Sequence, residues 1–549
     1  MAIEFKQNDF RGGLNLFDTG ETIGVNQYAL AYNVRNRTAE LTPVKDANED
    51  KDAPYGKKQG LFAFDKFLIL FVDGLAYYKD IHADSQKWIQ IESIVMDPKV
   101  EYIYTQAVPT STENFDRKLE SDDQVSGNAT EQTIKKSIFG NDIGTPAGLI
   151  CQDGINQPWI IFEDGSARKI QTYDKWTRDK REYVPIMTKM AYVDGILFGI
   201  SGTDGRTLLR SVTGRPLDFV VNVDTKGEKG GDADTTSYAV TYNPITSLQV
   251  FSAGKLLAAT KNRCFPIGLN YDKQYFNEPS FTNNEDFSAG VVNQYSFIDV
   301  LSDRCFIDTD GIRSFIASNQ DKNEGRNSVF SIGITKIMEG IPQEEFSSAA
   351  IVFNDYALFA IATTIGPVIA VYEIKREQWV SIDDFKIGAV KQFAIADQSV
   401  LPVLYCMTAD KVYKLYDSTK FAEAAVTFKS ITTSSAIELK LNDVQAIFGK
   451  GIEQTEAIME ISINDSPDIL IVTEPLSYDD RGIDNVRFNF EHSNARLGWS
   501  ITPTLRWDNG AKLKLVQVNS TEQTPMTNVT QQANIFAVSN NIYATPNSK

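Results

Sequence analysis

Two histidines, four cysteines and a few glycine-rich acidic turns are the parts of this sequence best equipped for chemistry. His82 or His492 could serve a Ser-His-Asp triad, but neither lies in a nucleophile-elbow or metalloprotease motif, so both read as surface or turn residues. Cys151, Cys264, Cys305 and Cys406 are far apart and show no CxxC spacing, which argues against a zinc site or a disulfide framework. The last three sit in apolar strand-like runs, as buried free thiols do in a reducing cytoplasm. Gly227–Gly231 is glycine-rich without the spacing of a phosphate-binding P-loop, and reads as a flexible loop. Asp308–Gly311 and Asp232–Asp234 look like fragments of calcium loops, but both lack the later glutamate an EF-hand needs. For the first, a hairpin turn with glycine at positive φ is explanation enough. No catalytic, cofactor-binding or metal-ligating residue is named on these grounds, and no cofactor is expected.

Carboxylates are too abundant for any pair to stand out as a catalytic dyad. Asp and Glu number 72 against 54 Lys and Arg, a formal charge of −18. Gripping DNA phosphates needs the opposite sign, because Lys and Arg displace condensed counterions. The chain is therefore not a sequence-reading DNA binder. An acidic surface can still meet DNA usefully, since a wall that repels phosphate lets the polymer slide. The simpler meaning of the charge is solubility.

Short β runs broken by turn residues must position whatever this chain does. Leu61–Val72 is apolar, Asp73-Gly74 is a hairpin signal, Leu75–Tyr78 returns, and Trp88–Ile91 adds a third run. Related units occupy Gly148–Ile170, Met187–Ser211, Ile245–Ile267, Phe297–Ile316, Ile351–Val380 and Phe393–Tyr416. A spacing of mostly about 45 to 55 residues suggests propeller blades. Radial packing would cover the two faces of each small sheet and leave only short edges. The fold class expected is thus all-β: a β-propeller with loop insertions plus a C-terminal β-sandwich-like domain.

The boundaries follow composition. Residues 1–55 read as an extended N-terminal arm and 56–420 as the propeller, with insertions at about 105–145 and 222–240. A third interruption, 318–346, includes a short helix around Ile334–Gly340. Residues 421–518 carry exposed β runs that fit a β-sandwich-like domain. From Asn519 to Lys549 the sequence is rich in Asn, Gln and Thr and reads as a polar arm without a core of its own. The N-terminus shows no signal-peptide pattern, and no apolar run reaches the length of a membrane span, so no membrane insertion is expected.

Four segments, in order, resemble the tail nozzle (tail hub) proteins of short-tailed bacteriophages. The first is Phe10-Arg11-Gly12-Gly13-Leu14-Asn15, followed by Ala31-Tyr32-Asn33-Val34-Arg35 and Glu40-Leu41-Thr42-Pro43. Glu40 stands where a glycine is more usual in that family. The second is Leu209–Phe219, with Ser211, Gly214, Pro216 and Phe219 in a corner-like spacing. The third runs from Asp310–Phe315 through Ile334–Met338 to Ala350–Val380. The fourth is Arg496-Leu497-Gly498-Trp499 in the C-terminal strands, where the order around Arg487 departs from the family.

The resemblance implies a structural virion protein without enzymatic activity. Its subunits would form a hexameric ring below the portal and adaptor rings, docking adaptor proteins and tail fibres or tip proteins. The ring would pass double-stranded DNA without sequence-specific binding. Its place would be the tail of the virion, after synthesis in the bacterial cytoplasm. Six copies would carry six times the charge of −18, part of it lining the channel. Polar loops such as 105–145 or 222–240 would close the tip before infection. The alternatives are another tail or adaptor component, a glycan-acting propeller with an acid pair in its funnel, and a cellular protein-binding propeller. For the glycan reading, Ser201–Thr207 is a single, shifted, partial match to the S-x-D-x-G-x-T-W box of sialidase-like propellers.

Overall fold

The computed structural model describes residues 2–83, 86–109, 147–170, 184–211, 216–217, 219, 237–239, 241–252, 255–268, 280–281, 288–300, 303–318, 330–397, 401–433, 438–452, 455–466, 468–490 and 497–523. Over these residues the chain is all-β, and helix is limited to isolated turns such as Thr335–Met338. That turn falls where the short helix was expected. Most of the insertions at 105–145 and 222–240, and residues 319–329, lie outside the described residues.

The chain divides into two compact units. A central unit comprises Ala47–Arg376 and Asp384–Ser418, and a terminal unit comprises Met1–Asp46, Glu377–Asp383 and Thr419–Lys549. Residues 1–46, read from sequence as part of an extended arm, thus share a unit with the C-terminal strands. Their strands are only two to six residues long, such as Leu30–Tyr32 and Thr42–Pro43, and are too brief to show a period.

In the central unit the described residues form seven consecutive antiparallel sheets. Sheet one holds Lys58–Phe64, Phe67–Val72, Leu75–Asp80 and Ile89–Val95. Sheet two holds Tyr104–Pro109, Ala147–Gln152, Trp159–Phe162 and Ala167–Lys169. Sheets three and four start at Met187–Val193 and Ser247–Ser252, sheet five at Phe297–Val300 and sheet six at Ala349–Phe353. Sheet seven holds Gln392–Asp397, Pro402–Met407 and Val412–Leu415, and takes its fourth strand, Asn48–Glu49, from the start of the unit. Each segment identified in the sequence as a unit builds one of these sheets.

Turn chemistry sets the hairpins. Asp73 and Gly74 both have positive φ (47° and 79°), as do Asp194 and Gly195 (50° and 80°), the geometry a tight two-residue hairpin requires. The run Leu61–Val72 is itself a hairpin, because Asp65 (φ 50°) turns the chain between Phe64 and Phe67.

Apolar clusters join neighbouring sheets. Ile69 and Phe71 of sheet one pack with Leu149 and Ile161 of sheet two. Ile150 of sheet two packs with Met187 and Leu197 of sheet three. Ile200 of sheet three packs with Leu248 and Leu256 of sheet four, and Leu257 of sheet four with Phe306 of sheet five. Leu358 of sheet six packs with Leu404 of sheet seven. Sheet seven in turn packs on sheet one, through Tyr405 and Met407 against Leu61, Leu68 and Leu70. Full burial of each such side chain contributes about 1.5–3 kcal/mol.

The terminal unit has two main sheets. One orders Ala2–Gln7, Lys512–Gln523, Glu438–Gly449 and Ile483–Asn489, so residues 519–523, expected in the polar arm, are strand. The other orders Gln378–Asp383, Leu30–Tyr32, Ala424–Thr427, Ser500–Trp507, Glu456–Ile463 and Ile469–Pro475. Phe448 of the first packs edge-on against Trp507 of the second, with ring centroids 5.8 Å apart.

Candidate functional site

The first strands of sheets two to seven, with Gln294 and Tyr295, border a cavity of ≈ 500 Å³. That volume suits a small molecule or a few side chains. Tyr104, Thr105 and Gln106 line it from the first strand of sheet two. Met190 and Ala191 line it beside a bulge between Thr188 and Ala191, with Lys189 at φ 45°.

Aromatic rings crowd one side. Tyr295 stacks on Tyr104 at 6.4 Å and lies 5.5 Å from Tyr102 and 6.2 Å from Phe62. Its hydroxyl donates to the Ile103 carbonyl at 3.0 Å. Burial pushes the phenol of Tyr102 up to about 12 and also raises those of Tyr104 and Tyr295, so these rings stay neutral. Two lysines sit over them: Lys391 Nζ is 4.7 Å from the Tyr102 ring centre and Lys189 Nζ 5.1 Å from that of Tyr104. Lys391 also donates to the carbonyls of Lys58 and Glu101, at 3.2 and 3.1 Å, and pairs with the Glu101 carboxylate at 2.5 Å. Burial lowers Lys189 to about 8.

Three of the four glutamines that line the cavity hold sheets together. Gln294 accepts from Leu248 N–H at 2.9 Å and donates to Leu248 C=O at 3.0 Å. Gln249 donates to Gln294 C=O at 2.8 Å, and Gln392 of sheet seven accepts from Leu61 N–H of sheet one at 3.0 Å. Two-carboxylate glycoside hydrolysis needs acids about 5–9.5 Å apart. Among the described lining residues one carboxylate occurs, Asp299, ion-paired with Arg304. The arrangement is suited to packing and polar contact, not to proton transfer between paired acids.

The side chains singled out in the sequence fall elsewhere. His82 is exposed, and its backbone N–H donates to the Asp80 carboxylate at 2.9 Å. All four cysteines are buried and none is in a disulfide. Burial raises the thiols of Cys151, Cys305 and Cys406, which disfavours the reactive thiolate. Asp308 accepts from Arg313 Nε at 2.6 Å and from Gly290 N–H at 3.2 Å, and Asp308 and Gly311 face each other across a hairpin. Asp204 accepts from the N–H groups of Arg206 and Thr207, both at 3.1 Å, and from the Thr207 hydroxyl. Burial pulls that carboxyl up, but these bonds outweigh it and hold it below its ordinary value. His492, Gly227–Gly231, Asp232–Asp234 and Arg496 lie outside the described residues.

In the terminal unit the glycine-rich N-terminal segment clasps a strand from the middle of the chain. Leu14 N–H donates to Trp379 C=O at 2.8 Å, and Tyr28 OH to Val380 C=O at 2.8 Å. Gly13 has φ 75°, and a Cβ there would lie 2.6 Å from the Trp379 carbonyl oxygen, so both conformation and space call for glycine. Arg35 holds Asp383 with two bonds of 2.9 and 2.6 Å. Among the described residues no group of three or more His, Cys, Asp or Glu is placed to hold a metal ion, and no helix is long and apolar enough to cross a membrane. No protein-family model matches the chain, and no curated protein is significantly similar to it.

Proposed function

We propose that this chain is a structural subunit of a short-tailed phage tail nozzle, in which the seven sheets are propeller blades and the terminal unit is a β-sandwich-like docking domain. The observation that carries the reading is the clasp around Trp379–Asp383. The Phe10–Asn15 and Ala31–Arg35 motifs and the strand Gln378–Asp383 at the end of the third resembling segment meet in one unit. Pieces that resemble the nozzle family at distant points of the chain therefore have a common structural task. The packing of sheet seven on sheet one, and the strand that sheet seven takes from Asn48–Glu49, support the propeller.

In this reading the cavity is the axis of one propeller and too small for a duplex. DNA passes through the ring between subunits, along surfaces of a chain with charge −18. The ring docks adaptor proteins above and fibres or tip proteins below, and the protein resides in the virion tail. Electron microscopy tests this. Purified protein should average into six-fold rings, and antibody against it should label phage particles at a single vertex. A protein that stays monomeric alone and with adaptor-ring proteins, together with label spread over the capsid or absent, would overturn the proposal.

A further inference from the structure

Acids at the cavity of the central unit already hold cations. Asp299, on its wall, is ion-paired with Arg304. Glu101 holds Lys391 at 2.5 Å and Lys57 at 3.3 Å. Burial lowers Lys391, and Glu101 pulls it back up. Lys189, over the ring of the wall residue Tyr104, is held differently: burial alone moves it, down to about 8. Among the described residues its ammonium has neither a hydrogen bond nor an ion pair. Its backbone is costly too. At φ 45° it is a non-glycine residue in the left-handed region, in the bulge next to the wall residues Met190 and Ala191. A strained backbone and a partly desolvated cation thus meet in one residue, beside an open space.

That space has the character of a ligand pocket. Tyr104, Phe297 and Phe393 give it aromatic walls, and ≈ 500 Å³ is room for a body of one or two rings. It opens to solvent, since Val250 on its wall is 37% exposed and the Asp299 side chain 61%. The rings of Tyr102 and Tyr104 already carry ammonium groups, which disfavours a cationic ligand there. The charge left to be matched is that of Lys189, and in partly dry surroundings its pull on a monoanion is stronger than in water.

We propose that this cavity binds a small aromatic carboxylate, with its ring among Tyr104, Phe297 and Phe393 and its carboxylate drawn to the Lys189 ammonium. The ligand supplies the counter-ion that the fold withholds from Lys189, and its flat apolar body is buried against rings. This binding is independent of any assembly the chain enters, the nozzle included.

Ligand-detected NMR titration of the full chain at pH 7, with benzoate and with its neutral counterpart benzamide, is the test. Benzoate should bind at least tenfold more tightly than benzamide, a comparison that needs no variant to fold. Lys189→Met, which removes the buried charge, should bind the two probes alike, and Lys189→Arg should keep the preference. Equal affinity of the wild-type chain for both probes, binding of neither, or a preference that survives Lys189→Met would overturn the proposal.

Discussion

Lys189 is a cation placed where a cation is costly. It sits at a strand bulge with its ammonium over Tyr104, and burial lowers it to about 8 from an ordinary 10.5. Below pH 8 both folded and unfolded chains hold the proton, and the folded state bears the full desolvation cost. Between pH 8 and 10.5 the folded chain releases the proton while the unfolded chain keeps it, so stability rises with pH in that window. Lys189→Met should therefore raise the urea midpoint at pH 7, and its advantage over wild type should shrink by pH 10. A constant difference across this range would show that the charge is not the cause. None of this was legible in the sequence, where Lys189 is one lysine in an apolar run. The pair Tyr102-x-Tyr104 was a visible alternation, but its stacking on Tyr295 depends on a contact almost two hundred residues away.

At the scale of elements, glutamine joins sheets that share no strand pairing. Gln392 reaches Leu61, Gln152 reaches Met187 at 2.6 Å, and Gln294 takes both backbone groups of Leu248. A first strand that borders a cavity has one edge without a β partner, and a side-chain amide offers both a donor and an acceptor to satisfy it. Gln294→Leu should destabilise by about 1–3 kcal/mol, because the Leu248 N–H and C=O lose their partners while staying largely dry. Gln294→Glu, which keeps the acceptor and loses the donor, should fall between. Equilibrium urea unfolding gives the values, and an unchanged midpoint in Gln294→Leu would show that Leu248 finds water. The strands themselves were readable from turn residues and apolar runs, down to Asp73-Gly74. The split of Leu61–Val72 at Asp65-Lys66 was less so, since two polar residues inside an apolar run also fit an exposed strand position.

For the whole molecule, the decisive contacts are those that bring the two ends of the central unit together. Asp50 follows the strand that completes sheet seven, and its N–H donates to Val412 C=O at 2.9 Å. Its carboxylate turns to sheet one, pairing with Lys79 Nζ at 2.7 Å and accepting from Trp88 Nε1 at 3.1 Å. The two charged side chains are 5% and 4% exposed. Asp50→Ala should cost about 3–5 kcal/mol, because it strands a buried ammonium. Asp50→Ala combined with Lys79→Met should recover much of that loss, measured by chemical denaturation. A double variant no more stable than the single one would place the cost in the lost Trp88 bond and packing instead.

By itself the sequence determined the all-β class, the seven strand clusters, three of the four buried cysteines and the acidic balance. Those features are local: turn residues set hairpins, alternation sets faces, and composition sets charge. Tertiary structure alone decided that residues 1–46 and 377–383 join the C-terminal strands, that Asn48–Glu49 completes the last sheet, and which side chains border the cavity. The first two depend on strands of two to six residues whose partners lie hundreds of positions away. Such strands carry no period, and their partners are chosen by the backbone hydrogen bonds and the clasps at Trp379 and Asp383 that only the folded chain brings within reach.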